Sequence, residues 1–241
     1  MAKSSVSASR VAAAVKMIRE AIFQGRFGPG SPLRELTLAR ELNVSQATIR
    51  DALQRLEHAG LVTRKPNVGT TVTRLTPKDV RERVALRAML EVTAAEAAAT
   101  RMTDADFVEL ERRLAVLGQA IVDDSYYEAA QSDLEFHRYI WQCSGNETLC
   151  RLLELVAVPL FAFISILRSQ GLQKLTAVVE AHSPLIEALR TRDLQQIRPA
   201  FQKGATSSYE PFLSEGTGER NMAQVFGFLD PAPDTVDDRP A

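Results

Sequence analysis

Three residues, Asn43-Val44-Ser45, separate two short stretches of helical periodicity, and nothing else in the chain restricts its fold as tightly. Before them, Leu38, Ala39 and Leu42 face one side of a short helix from Leu36 to Leu42. After them, Ser45 is placed to cap a helix from Gln46 to His58 whose Ala52, Leu53 and Leu56 face the same core. Ala59-Gly60 ends that helix. Upstream, Val11, Val15, Ile18 and Ile22 mark the inner face of a helix from Val11 to Phe23. "GRFGPGSPL", with its glycines and prolines, forces a turn behind it. Downstream, "LVTRK" and "TTVTRL" joined by "PNVG" read as a hairpin carrying Arg64, Lys65 and Arg74. Helix, short helix, turn, helix and hairpin in this order make a winged helix-turn-helix.

The geometry of that motif gives its second helix a task, because its first turns enter the DNA major groove. Gln46, Ala47, Thr48 and Arg50 occupy those turns. Gln pairs bidentately with adenine, Ala and Thr methyls meet the thymine methyl, and Arg forks onto guanine. Arg64, Lys65 and Asn67 on the wing suit phosphates or the minor groove, and Gly69 serves the hairpin turn. Other readings of the same residues stay open. Arg50 can pair with Glu41 or Asp51, and Gln46 and Thr48 can be plain solvated surface.

Charge supports a polyanion partner for this segment alone. Residues 1–75 hold 12 Lys and Arg against 5 Asp and Glu, a net of +7, whereas the remaining residues carry a net of −8. Two cysteines, Cys143 and Cys150, are too few for a zinc ribbon and are read as reduced thiols in a cytoplasmic protein. The longest apolar run, Leu155 to Leu167 between Glu154 and Arg168, is too short to span a bilayer and suits a buried helix. No membrane association is expected.

From Gly28 to Val72 the residues "GPGSPLRELTLARELNVSQATIRDALQRLEHAGLVTRKPNVGTTV" resemble the GntR family of bacterial transcription regulators. The match lies in Pro-Gly before "PL", Glu35 followed by Leu38-Ala39, "VS" at Val44-Ser45, "IRDAL", and the wing glycine. The resemblance implies DNA contacts by Glu35, Ser45, Gln46, Ala47, Thr48, Arg50, Arg64, Lys65, Asn67 and Gly69. One position departs: Gln46 stands where the family has arginine, which points its base preference toward adenine.

Beyond residue 76 the periods are helical almost throughout. Thr76 and Thr103 are cap candidates, and Pro77 sits at a first helical position. Roughly six helices follow to Leu213, enough for an antiparallel bundle. Pro159, Pro184 and Pro199 fall inside them and are expected to kink or shorten them. Asp133 and His137 lie four apart on one helix face, and His182 lies on a later helix. Such a set suits a divalent metal, and equally an Asp–His hydrogen bond with an unrelated histidine.

"RVALRAMLE", "SDLEFHRYIWQCSGNETL" and "EAHSPLIEALRTRD" resemble the all-helical FCD ligand-binding domain of the FadR subfamily. That resemblance implies Asp133, His137 and His182 as ligands of zinc, nickel or manganese, with a small carboxylate as effector. The family's further histidine falls at Gly204 here, so the expected set is three. Arg87, four before Glu91, is implied as a fork for the effector carboxylate, or else as an intrahelical partner of Glu91.

The expectation is a mainly α chain with a winged helix-turn-helix over 8–75, an all-helical antiparallel bundle over 77–213, and a disordered tail over 214–241. In that tail "MAQVFGFL" is a docking segment. Functionally, it is a cytoplasmic transcription regulator, a repressor by default, acting as a homodimer on double-stranded DNA with a near-palindromic operator. Two rivals are a metal-dependent enzyme built on Asp133, His137 and His182, and a DNA-binding dimer with an inert bundle.

Overall fold

In a computed structural model, residues 2–65, 69–169 and 177–213 are described. Asn67 and the tail segment "MAQVFGFL" lie outside them. Helix α1 (Ala2–Phe23) leads into α2 (Glu35–Glu41), α3 (Gln46–His58) and the strands β1 (Val62–Lys65) and β2 (Gly69–Val72). The cap on α3 forms as its sequence suggests: Thr48 N donates to Ser45 Oγ at 3.1 Å. Asn43, between α2 and α3, takes φ +51, a left-handed turn that asparagine tolerates. Ile49, Ala52, Leu53 and Leu56 are sealed in the core against Val11, Ile18 and Ile22 of α1. The strands pair antiparallel, Val62 opposite Val72 and Lys65 opposite Gly69. Pro32 joins them through a bridge to Thr71, which ties the turn before α2 to the wing.

Helix α4 (Pro77–Ala99) opens on a capping box in which Asp79 N donates to Thr76 Oγ1 and Thr76 N donates to the Asp79 carboxylate. Helices α5 (Asp104–Val122), α6 (Tyr126–Cys143), α7 (Glu147–Ser169), α8 (Ala177–Thr191) and α9 (Leu194–Thr206) complete a bundle. A 3₁₀ turn (Ser207–Tyr209) and α10 (Glu210–Leu213) close it. The inner face of α4 is mostly alanine, so its neighbours approach closely: Ala94, Ala95 and Ala98 are fully buried. Helices α7, α8 and α9 run through Pro159, Pro184 and Pro199 without ending there. Cys143 and Cys150 are free and partly buried.

Helix α7 is long and apolar enough to cross a membrane by composition, yet 67% of its most apolar window is buried inside the protein. It is the shared wall of head and bundle. On one side Ser165 Oγ donates to the Phe23 carbonyl at 2.9 Å. Gly60 (φ +71) also abuts it so closely that a Cβ there would stand 3.0 Å from Pro159 Cγ. On the other side Phe161, Ile164 and Arg168 line a cavity in the bundle. Head and bundle thus share one apolar core, with Phe23 edge-on to Tyr127 at 6.3 Å.

Candidate functional site

Two places gather polar side chains without closing them into ordinary secondary structure. The first is the exposed start of α3. Gln46, Ala47 and Arg50 are exposed and Thr48 partly so, while Ile49 between them is buried and fixes the helix orientation. Ser45 and Thr48 hydroxyls lie 2.9 Å apart, both drawn into the cap. Arg50 does pair with a carboxylate, but the partner is Glu35 rather than Glu41 or Asp51: Nη2 to Oε2 is 3.0 Å and Nε to Oε1 is 3.4 Å. The same Glu35 lies 3.9 Å from Arg64 of the wing. Glu35 therefore gathers one arginine from α3 and one from β1 on a single surface. Lys65 and Gly69 are exposed at the hairpin, and Gly69 (φ +106) has a backbone that other residues rarely adopt. Its role at the turn is thereby conformational.

The second place is buried. Helix α6 presents Asp133 and His137 one turn apart, and α8 brings His182 to the same carboxylate. One ligand atom from each lies within 4.8 Å of the others. His182 Nε2 is 3.0 Å from Asp133 Oδ1, and His137 Nε2 is 3.6 Å from the same oxygen. The partner of the other ring nitrogen assigns the tautomer of His182. His182 Nδ1 donates to the Val178 carbonyl at 2.6 Å. His137 Nδ1 faces Glu91 Oε1 at 3.2 Å, at an angle short of a hydrogen bond, and Arg87 Nη2 points at His137 Nε2 from 3.4 Å. His182 Nε2 is thus left facing a carboxylate oxygen, whereas the His137 Nε2 lone pair has Arg87 Nη2 as its donor. A ring nitrogen facing a carboxylate oxygen needs a cation between them, either a proton or a metal ion. The Val178 carbonyl that fixes the His182 ring is the kind of outer partner metal-ligating histidines require. The residues present fit a three-ligand divalent site.

The surrounding charges agree. Burial alone would raise the Asp133 carboxyl, but His182, His137 and Arg168 outweigh it and hold it well below the usual carboxylate range. Burial would lower His182, yet Asp133 prevails and raises it. Glu91 is held at about 2: burial pushes it up, and Arg87 and His137 more than reverse that. Arg87 lies over the Phe161 ring at 4.6 Å and gives Nε to Glu91 at 3.1 Å, the intrahelical pairing its spacing offered. It is the intrahelical partner of Glu91, and it also lines the cavity. Gly204 lines the cavity too, where a Cβ would stand 3.0 Å from Leu185 Cδ2.

Two cavity residues escape a reading by motif. Tyr209 enters from the 3₁₀ turn, its hydroxyl 3.5 Å from Arg87; burial pushes its phenol up to about 12, so it stays neutral. Arg168 enters from the end of α7, 3.8 Å from Asp133 Oδ2. Its signal was in the sequence: a charge closing an apolar run, in helical register with Phe161 and Ile164.

With this geometry in place, the comparisons with known proteins are specific. Residues 10–72 match the family described as bacterial regulatory proteins, gntR family. Residues 82–203 match the FCD domain. An uncharacterised HTH-type transcriptional regulator of Bacillus subtilis, YdhC, is 30% identical over 73% of this chain and 79% of its own length. A probable D-xylose utilisation operon transcriptional repressor of Paenarthrobacter nicotinovorans is 28% identical over 82% of this chain and 85% of its own. Among solved structures, E. coli McbR/YncC superposes with a TM-score of 0.71 at 21% identity, covering 92% of this chain and 99% of that one.

Proposed function

This chain belongs to the GntR family of bacterial regulators and carries an FCD domain, and we propose on that premise that it is a repressor released or tightened by a small carboxylate bound in the bundle. The family and the relatives make it a DNA-binding transcription regulator rather than an enzyme. The direction of control follows the relatives, two of which are named repressors.

In this reading the protein works in the cytoplasm as a homodimer, whose two heads meet a near-palindromic operator. Gln46, Ala47, Thr48 and Arg50 read base edges in the major groove. Ser45, Arg64, Lys65, Asn67 and Gly69 hold the backbone. Glu35 is a positioning residue: it holds Arg50 and Arg64 in the free protein and yields them to DNA. Asp133, His137 and His182 hold a divalent ion, zinc, nickel or manganese, with Arg87 beside it. Such an ion, when bound, supplies a Lewis-acidic seat for a carboxylate oxygen.

The single observation that carries the reading is the double face of α7. Phe161 and Arg168 stand in the bundle cavity while Pro159 and Ser165 of the same helix touch the head. The cavity is only about 30 Å³, room for a water or two. A ligand larger than that displaces its walls, and α7 is one of them. Regulation then requires the ligand to bind one head arrangement better than the other.

Selection of the full-length protein on a random duplex library tests the DNA side. The expected product is a two-fold site with adenine favoured opposite Gln46. A strong demand for guanine there would remove Gln46 from the readout, and no enrichment at all would sink the assignment of α3.

A further inference from the structure

The cavity holds two buried guanidiniums in very different states. Arg87 is saturated: Nε donates to Glu91, Nη1 and Nη2 approach Tyr209 and His137, and the plane lies over Phe161. Arg168 is not. Its side chain is only 6% exposed, and the ion pair it makes is a long one, 3.8 Å from Nη1 to Asp133 Oδ2. Its Nε is buried without a hydrogen-bond partner among the described residues. A buried donor left unmade costs free energy that a fitting acceptor recovers, and a planar guanidinium is matched by a carboxylate.

The partners of the two guanidiniums differ in the same sense: Arg87 is committed to Glu91 at 3.1 Å, whereas Arg168 only approaches Asp133 at 3.8 Å. Opposite these groups Gly204 adds no side chain.

We propose that Arg168, rather than Arg87, is the primary anion anchor of this pocket, and that the effector is a compact carboxylate whose acid group forks onto Arg168 beside Asp133. The inference rests on the reading of the bundle as an effector domain and deepens it. Compactness follows because a cavity of about 30 Å³ must open to admit even a small acid. Arg168 also occupies the helix that touches the head, so the group that grips the anion is rigidly linked to the Ser165 contact with Phe23. Arg87 keeps a supporting role, holding Glu91 and, through it, the ring of His137.

The chain's single tryptophan, Trp141, lies 6.4 Å from the His137 ring and reports on the cavity. Full-length protein, both as purified and stripped with chelator, is titrated with acetate, glycolate, oxalate and malonate while Trp141 fluorescence and thermal melting are followed. At least one of these anions is expected to bind the wild type. Arg168→Gln weakens that binding tenfold or more, and Arg168→Lys, which keeps the charge without the fork, falls between. Circular dichroism shows whether each variant is folded, and the lysine variant carries the test if the glutamine variant is not. Arg87→Lys lowers the melting temperature more than it lowers anion affinity. Equal anion affinity in wild type and the folded Arg168 variants, or no binding of any of these acids by wild type, overturns the proposal. Anion binding that depends on Arg168 but leaves operator affinity unchanged would sink the regulatory reading instead, with the anchor intact.

Discussion

The chain makes an arginine–glutamate pair in each of its two functional regions, and the two pairs are opposites in burial. In the head, Arg50 is 58% exposed and Glu35 26%. In the bundle, Arg87 is 4% exposed and Glu91 1%. Distances barely differ, 3.0 and 3.1 Å. Water makes the difference. An exposed pair is worth about 0–1 kcal/mol because solvent competes for both ions, so Glu35 can give up Arg50 to DNA at little cost. A buried pair is bound to its surroundings, since removing one ion strands the other. Exchangeable charge belongs where a partner arrives, and fixed charge belongs where a site must keep its shape.

The largest effect is expected from Glu91→Gln. It leaves Arg87 buried without the carboxylate that accepts its hydrogen bond and is expected to cost about 3–5 kcal/mol of stability in denaturant unfolding. A cost near that of Glu35→Gln, about 0–1 kcal/mol, would mean that water reaches the bundle pair. Acid sharpens the same point. The Glu91 carboxyl is depressed from its ordinary 4.5 to about 2. Its contribution is therefore complete above the unfolded value and is lost as pH falls toward the folded one. The stability gap between wild type and Glu91→Gln should shrink from pH 4.5 down to about 2; a constant gap would contradict the assignment.

Next in size is Arg50→Ala, expected to weaken specific operator binding by about 1–3 kcal/mol while leaving the melting temperature nearly unchanged. An unchanged affinity would make Arg50 a surface ion pair only. Smallest is Ser45→Ala, which removes the cap of α3 at a cost of about 1 kcal/mol in stability. A loss of operator affinity far beyond that cost would show that Ser45 touches DNA directly.

Much of the head was legible because local signals fixed it. Ser45, the buried face of α3 and the Gly60 stop define that helix to the residue, from Gln46 to His58. Legibility failed where the cause was tertiary or lacked a period. Helix α1 begins at Ala2 rather than Val11, because "AKSSVSAS" offers no apolar face to read. For an Arg50 ion pair, sequence proximity offers Glu41 or Asp51; only the packing of α2 on α3 brings Glu35 to it from fifteen residues away. In the bundle, the spacing of Asp133 and His137 and a later-helix His182 were readable as a candidate set, and the resemblance implied their role as ligands. Arg168 read as a mere boundary of the apolar run, because its meaning depends on which face of α7 the cavity lies against. The 3₁₀ turn that delivers Tyr209 carries no sequence period at all.

Asp133, His137 and His182 are proposed to hold a divalent ion in the effector pocket. Metal content per chain, measured by elemental mass spectrometry on untagged protein beside an Asp133→Ala, His137→Ala variant, tests it most directly. The expected result is close to a single ion per wild-type chain and none in the variant. Wild-type protein that holds no metal, even after reloading with zinc, nickel and manganese, would contradict the claim and leave a protonated imidazole as the cation among them.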